Sequence, residues 1–160
     1  MNYRYVESPI GKLLIAGDNE CVRRIEFPNN GEPRNPAPGW IAASTPTLDE
    51  AARQLREYFF EGRTEFELPL TPEGTEFQKT VWRELRNIPY GRTISYGELA
   101  RRVGNPNASR AVGAANGANP IPIVIPCHRV IGANGKLTGF GGGLPVKERL
   151  LTLEAGLLKP

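Results

Sequence analysis

Short apolar runs, punctuated by turn residues, open the chain. Residues 3–7, 12–17 and 20–27 are runs of β-forming side chains separated by Ser8-Pro9, Gly11 and Gly17-Asp18-Asn19. Short β-rich runs bounded by such turn residues predict a small antiparallel meander. Four prolines and a glycine within residues 28–38 predict a loop. Helical spacing follows: Leu48, Ala51, Ala52, Leu55 and Phe59 fall on one face of a helix over residues 48–60. Residues 65–68 read as a further strand. The segment 69–74, with two prolines and a glycine, reads as the seam between a domain at 1–70 and a second at 71–160.

The second half is helical in pattern. Thr75-Glu-Phe-Gln78 has the form of a capping box, and Phe77, Val81, Trp82, Leu85 and Ile88 follow at helical spacing until Pro89-Tyr90-Gly91. Ser95-Tyr-Gly-Glu98 has the form of a second capping box, opening a helix through Leu99 and Val103. A turn at Gly104-Asn105-Pro106-Asn107 leads to a further helix over residues 108–116. Helix, short turn, helix is the outline of a helix-turn-helix. The second of these helices is unusual: Ala111, Gly113, Ala114, Ala115 and Gly117 are all small, and Arg110 is its only charge. Glycine costs about 1 kcal/mol against alanine within a helix, so close approach of a protein helix or of a DNA groove is expected to compensate. Pro145 suits the first turn of a last helix, in which Leu150, Leu153 and Leu157 form one stripe with Glu154 beside it.

Composition narrows the classes. Hydrophobic residues make up 39% and charged residues 23% of the 160, which predicts a packed core. No apolar run approaches the ~18 residues of a membrane span, and the first residues lack the apolar stretch of a secretion signal; a cytoplasmic protein is expected. Two cysteines, Cys21 and Cys127, make no disulfide framework, and a single histidine, His128, cannot complete the usual zinc sites. The net charge of +3 is unevenly spread. Residues 1–70 carry 8 basic and 11 acidic side chains; residues 71–160 carry 12 and 6. The second half alone therefore suits a polyanion.

The segment Asn119-Pro-Ile-Pro-Ile-Val-Ile-Pro-Cys127-His128-Arg129-Val130 carries the clearest chemistry. Three prolines stiffen an apolar run and set Cys127 at a fixed point beside the only histidine. The thiolate is the reactive form of cysteine, so a nearby base matters. Adjacent side chains point apart in a strand, so His128 needs a turn or an intervening water to reach Cys127. Without such a link Cys127 would be an inert small hydrophobe. Glu154, beside the buried stripe, needs a partner: His128, whose tautomer it would fix, or an arginine. The glycine-rich run 132–143 is either a flexible loop or one that admits a flat ligand close to its backbone.

Taken together, residues 74–156 resemble the catalytic domain of O6-alkylguanine-DNA alkyltransferases. The likeness rests on Ile125-Pro-Cys-His-Arg-Val130, Thr75-Glu-Phe-Gln-Lys-Thr-Val-Trp82, Pro89-Tyr-Gly-Arg-Thr-Ile-Ser-Tyr96, Ser109-Arg-Ala-Val-Gly113, Asn119-Pro120 and Gly142-Gly-Leu-Pro-Val-Lys-Glu148. Ser8-Pro-Ile-Gly-Lys-Leu13 is similar to the opening of the family's first domain. The resemblance implies an α+β protein: an N-terminal ribonuclease-H-like antiparallel sheet with a helix, as scaffold, and a mostly helical, winged-helix-like C-terminal domain.

The implied activity is DNA repair by direct reversal. Cys127 takes the alkyl group of O6-alkylguanine, with O4-alkylthymine as a second candidate substrate, and the protein is consumed. Glu154 and His128 form a relay through a water that leaves Cys127 as a thiolate. Tyr96 protonates the departing guanine, and Arg110 fills the stack vacated by the flipped base. Ser95, Ala111 and Asn116 join Arg110 against the DNA. Asn119 braces the active-site backbone; Val130, Phe140 and Gly141 line the pocket. The implied partner is double-stranded DNA containing O6-alkylguanine, bound through the minor groove by a monomer, singly or cooperatively, with no cofactor or metal. Phe140 and Gly141 depart from the Tyr-Ser common in relatives, which bears on substrate preference. Three rivals compete: a cysteine hydrolase, a helix-turn-helix regulator, and a non-catalytic protein that binds alkylated DNA.

Overall fold

A computed structural model describes residues 1–135, 137, 140 and 142–156. The chain divides into two compact units, Met1–Pro72 and one beginning at Glu73.

In the first unit β1 (Asn2–Val6), β2 (Leu13–Gly17) and β3 (Val22–Glu26) form the expected antiparallel meander. β2 is central and buried at all five positions, which its sequence Leu-Leu-Ile-Ala-Gly permits. Its last residue must be glycine: a Cβ on Gly17 would stand 2.1 Å from the Cys21 carbonyl oxygen, where the register with β3 shifts. A fourth strand, β4 (Ile41–Ala42), follows the proline-rich loop and adds in parallel to β1, giving the order β3-β2-β1-β4. α1 (Pro46–Phe60) starts earlier than its apolar pattern, because Thr45 accepts the Leu48 N–H and Pro46 takes the first turn. It buries Leu48, Ala51, Ala52, Leu55, Tyr58 and Phe59.

The strand expected at residues 65–68 is absent. The Gln54 side chain occupies both hydrogen-bonding groups of Glu67, accepting its N–H at 2.9 Å and donating to its carbonyl at 3.1 Å. A ladder is replaced by one side-chain clamp, and only Leu70 then bridges to Val22.

In the second unit α2 (Glu76–Leu85) opens on the predicted capping box, with both reciprocal bonds of Thr75 and Gln78 present. Val81, Trp82 and Leu85 are buried, but Phe77, expected on the same face, is 38% exposed. Burial begins only at Val81, one turn later. β5 (Ile94–Ser95) leads directly into α3 (Tyr96–Arg102). Ser95 caps α3 by accepting the Glu98 N–H, yet the second capping box is incomplete: Glu98 pairs with Arg101 and Arg102 instead. α4 (Ser109–Gly117) follows, held to α2 by the Trp82 indole N–H on the Ala115 carbonyl at 2.8 Å. After a 3₁₀ turn at Cys127–Arg129, β6 (Val130–Ile131) pairs in parallel with β5. α5 (Leu144–Glu154) closes the unit. Leu150 is buried and Leu153 half-buried; Leu157, expected in the same stripe, lies outside the described residues. Among the described residues no helix is long and apolar enough to cross a membrane.

Candidate active site

Cys127 opens the 3₁₀ turn, which supplies the change of direction that an extended Cys-His pair would lack. The thiol is only 4% exposed. Burial pushes it up to about 11, against a hydrogen bond from the Asn119 side chain, the Lys147 ammonium and the backbone N–H groups of Cys127 and His128. The resting group is therefore a thiol. Burial thus works against the thiolate that the resemblance implies, and a neighbouring base has to draw the proton off.

His128 is fully buried. Its Nε2 lies 2.6 Å from Glu154 Oε2. Burial lowers its pKa, opposed by the hydrogen bond and charge of Glu154, so the ring is neutral and gives its one N–H to the carboxylate. That assigns the lone pair to Nδ1, a buried atom with no partner among the described residues. Burial works to raise Glu154 as well, but the bonds and charges of His128 and Arg129 overcome it and hold the carboxyl at about 2. Arg129 grips both carboxylate oxygens, from Nε at 2.8 Å and a terminal nitrogen at 3.0 Å, and reaches the Ile88 carbonyl at 2.7 Å. Glu154 is thus both histidine-paired and arginine-paired.

Sequence reasoning passed over Lys147. It is fully buried, donates to the Val130 carbonyl at 2.6 Å and sits 5.9 Å from the centre of the Tyr96 ring. Burial lowers its pKa, and the Cys127 sulfur acts in the opposite sense. Its position was legible: Lys147, Leu150 and Glu154 are spaced i, i+3, i+7 and share one face of α5.

Asn119 stands at the mouth of the loop before Cys127, accepting the Ile121 N–H at 3.0 Å and donating to the Ile125 carbonyl at 2.8 Å. Tyr96 begins α3 with its ring beside Gly113 of α4. Arg110 and Ala111 are exposed on α4. Ser95 is half-buried and caps α3; Val130 is fully buried. Asn116 departs from expectation. Predicted among the DNA contacts, it is 2% exposed and turned inward, donating to the Cys127 carbonyl at 3.2 Å. Val112, Ala115 and Asn116 are the buried face of α4, so helical spacing with Val112 already pointed it inward. Phe140 is half-buried; Gly141 lies outside the described residues.

A buried thiol, a neutral imidazole held by an ionised carboxylate and an ammonium within electrostatic reach of the sulfur equip this unit to make a nucleophile. The helix-turn-helix around α4 belongs to the same unit. Family models agree with that combination. The one described as "6-O-methylguanine DNA methyltransferase, DNA binding domain" matches residues 76–156, and "6-O-methylguanine DNA methyltransferase, ribonuclease-like domain" matches residues 1–72.

The chain is 52% identical over 154 residues to a methylated-DNA–protein-cysteine methyltransferase of Methanosarcina acetivorans, covering 96% of this chain and 98% of that one. It is 50% identical over 155 residues to the protein of that name from Mycolicibacterium paratuberculosis, covering 96% and 92%. The crystal structure of Mycobacterium tuberculosis OGT in complex with DNA superposes with a TM-score of 0.90 at 45% identity, covering 99% of this chain and 96% of that one. The chain belongs to the 6-O-methylguanine DNA methyltransferase family.

Proposed function

We propose that this protein repairs DNA by direct reversal, moving the alkyl group of O6-alkylguanine in a duplex onto its own Cys127. The observation that carries the reading is the buried Cys127, His128 and Glu154 constellation with its 2.6 Å imidazole–carboxylate bond. In the reaction the Cys127 proton passes to His128 Nδ1 through a water, and Glu154 stabilises the imidazolium. Sulfur then attacks the alkyl carbon; the S–C bond forms as the C–O6 bond breaks, and the electron pair stays on the guanine. Tyr96 donates a proton to the guanine ring, and the neighbouring Lys147 ammonium favours the resulting phenolate. The thioether has no easy leaving group, so each molecule acts once.

The reading is tested by incubating the protein with a duplex containing O6-methylguanine. One methyl group per molecule is expected in the intact mass, mapped to Cys127, with no gain on a second exposure. An unmodified mass, or release of methanol with turnover, points to lesion binding alone or to hydrolysis.

α4 supports docking in the minor groove. Its exposed positions include Ala111, Ala114 and Gly117, beside Arg110. Among the described residues nothing requires glycine at two of its positions. A Cβ on Gly117 would meet open space, one on Gly113 only an ordinary contact with Tyr96, and neither has a positive φ. The close neighbour that needs small residues there is therefore external, and a DNA groove fits. Arg110, exposed on α4, would fill the stack left by the extruded nucleotide, since the lesion must leave the duplex to react. Gly117→Ala should stabilise the fold by up to about 1 kcal/mol, yet slow repair of duplex DNA. Arg110→Ala should slow it further. Both should react with free O6-benzylguanine at the wild-type rate, because the free base needs neither groove nor stack. Equal losses on duplex and free base would remove α4 from DNA recognition.

A further inference from the structure

We infer that Asn116 is a positioning residue for alkyl transfer, coupling the DNA-facing helix α4 to the backbone of the nucleophile. The inference rests on the reaction proposed above. Asn116 lies on the buried side of α4, opposite the exposed small residues and Arg110. Its amide N–H holds the Cys127 carbonyl. Its other polar atom, Oδ1, is buried with no partner among the described residues. An unpaired buried acceptor is costly, so an apolar side chain of the same shape would serve the core better. What the asparagine supplies, and leucine cannot, is the tie to Cys127.

The segment it holds needs a tie. Ile123, four residues before Cys127, has φ +73°, a left-handed conformation that a β-branched residue resists, and it is 1% exposed. Such strain persists only where the surroundings over-determine the backbone. Asn119 and the Ile125 N–H to Ile121 carbonyl bond at 2.9 Å pin the near end of the segment. Asn116 pins the far end, at the residue that must meet the alkyl carbon. Because that pin comes from α4, the helix that reads DNA and the carbonyl of the nucleophile move together. A shift of the groove-bound helix is then a shift of Cys127.

The test compares wild type, Asn116→Leu and Asn116→Asp by three measurements: the single-turnover rate at saturating methylated duplex, affinity for an undamaged duplex, and Tm. For Asn116→Leu the saturated rate should fall at least about tenfold, as loss of near-attack geometry does. Affinity should hold, because Asn116 does not reach the surface, and Tm should not fall. Weaker affinity with an unchanged rate would make Asn116 a DNA contact and overturn the inference, as would a wild-type rate. A wild type that gains no methyl group would instead overturn the reaction itself.

Asn116→Asp keeps the shape and covers the case in which the leucine variant does not fold. A protonated carboxyl can still donate to the Cys127 carbonyl; a carboxylate cannot. Its rate relative to wild type should therefore fall as pH rises through the raised pKa of a buried carboxyl. A ratio flat with pH, in a folded variant, would overturn the tie.

Discussion

Cys127→Ser should lose alkyl transfer by roughly a thousandfold or more, the scale on which removing a nucleophile acts. Binding to a methylated duplex should persist, because Cys127 is 4% exposed and contributes no DNA-facing surface. A hydroxyl lacks the polarisable sulfur and is far harder to deprotonate than the thiol it replaces, even a thiol pushed up to about 11. Burying it in place of sulfur costs about 1–3 kcal/mol, so the variant should remain folded. Cys21, half-buried beside β3 in the other unit, should be replaceable without effect on transfer. The measurement is methyl incorporation by peptide mapping on both single variants. Label on Cys21, or on the serine protein, would dissolve the assignment.

Glu154→Gln should produce the second large effect, in two separable parts. It leaves the Arg129 guanidinium buried without its counter-charge. Breaking such a pair costs about 3–5 kcal/mol, read as a lower urea midpoint. The acid response gives the sign. Glu154 is held at about 2 against an ordinary value of 4.5, so its contribution to stability is complete above 4.5 and is lost as pH falls from there towards 2. The lowered pKa of His128 acts in the same direction from its ordinary 6.5 downward, because the unfolded chain takes up the proton first. The stability difference between wild type and Glu154→Gln should thus shrink on acidification between pH 4.5 and 2, with surface carboxylates cancelling. The kinetic part is a slower reaction at neutral pH that partly recovers under alkaline conditions, since an imidazole without its carboxylate is a poorer base for the thiol. Superimposable pH–rate profiles would leave Glu154 as a scaffold for Arg129 alone.

Features written in neighbouring residues were legible from the sequence. The Thr75–Gln78 capping box, the meander turns and the Cys127-His128 juxtaposition are all local. What escaped depended on distant partners. β4 is two residues long and exists only through parallel pairing with β1, 39 positions away in the Asn2–Ile41 register. Residues 65–68 have strand-forming composition, but one side chain, Gln54, satisfied the backbone groups a strand would have used. Glu98 had the spacing of a reciprocal cap and found two arginines instead. Arg129 carries no spacing that marks it as buried; its partners, the Ile88 carbonyl and Glu154, lie 41 and 25 positions away. Asn116 was assigned outward by resemblance, while the spacing with Val112 already said inward.

The two α5 residues of the site carry a constraint of their own. Lys147 and Glu154 are seven positions apart, close to two full turns, so one rigid helix delivers the cation near the sulfur and the anion to the imidazole. Deleting or inserting a single residue between them would rotate Glu154 by about 100° away from His128 while changing the composition hardly at all. Length variation in this protein should therefore collect in loops such as 28–38 and be excluded from residues 147–154, where the count of residues, independent of their identity, keeps Lys147 and Glu154 on the same buried face.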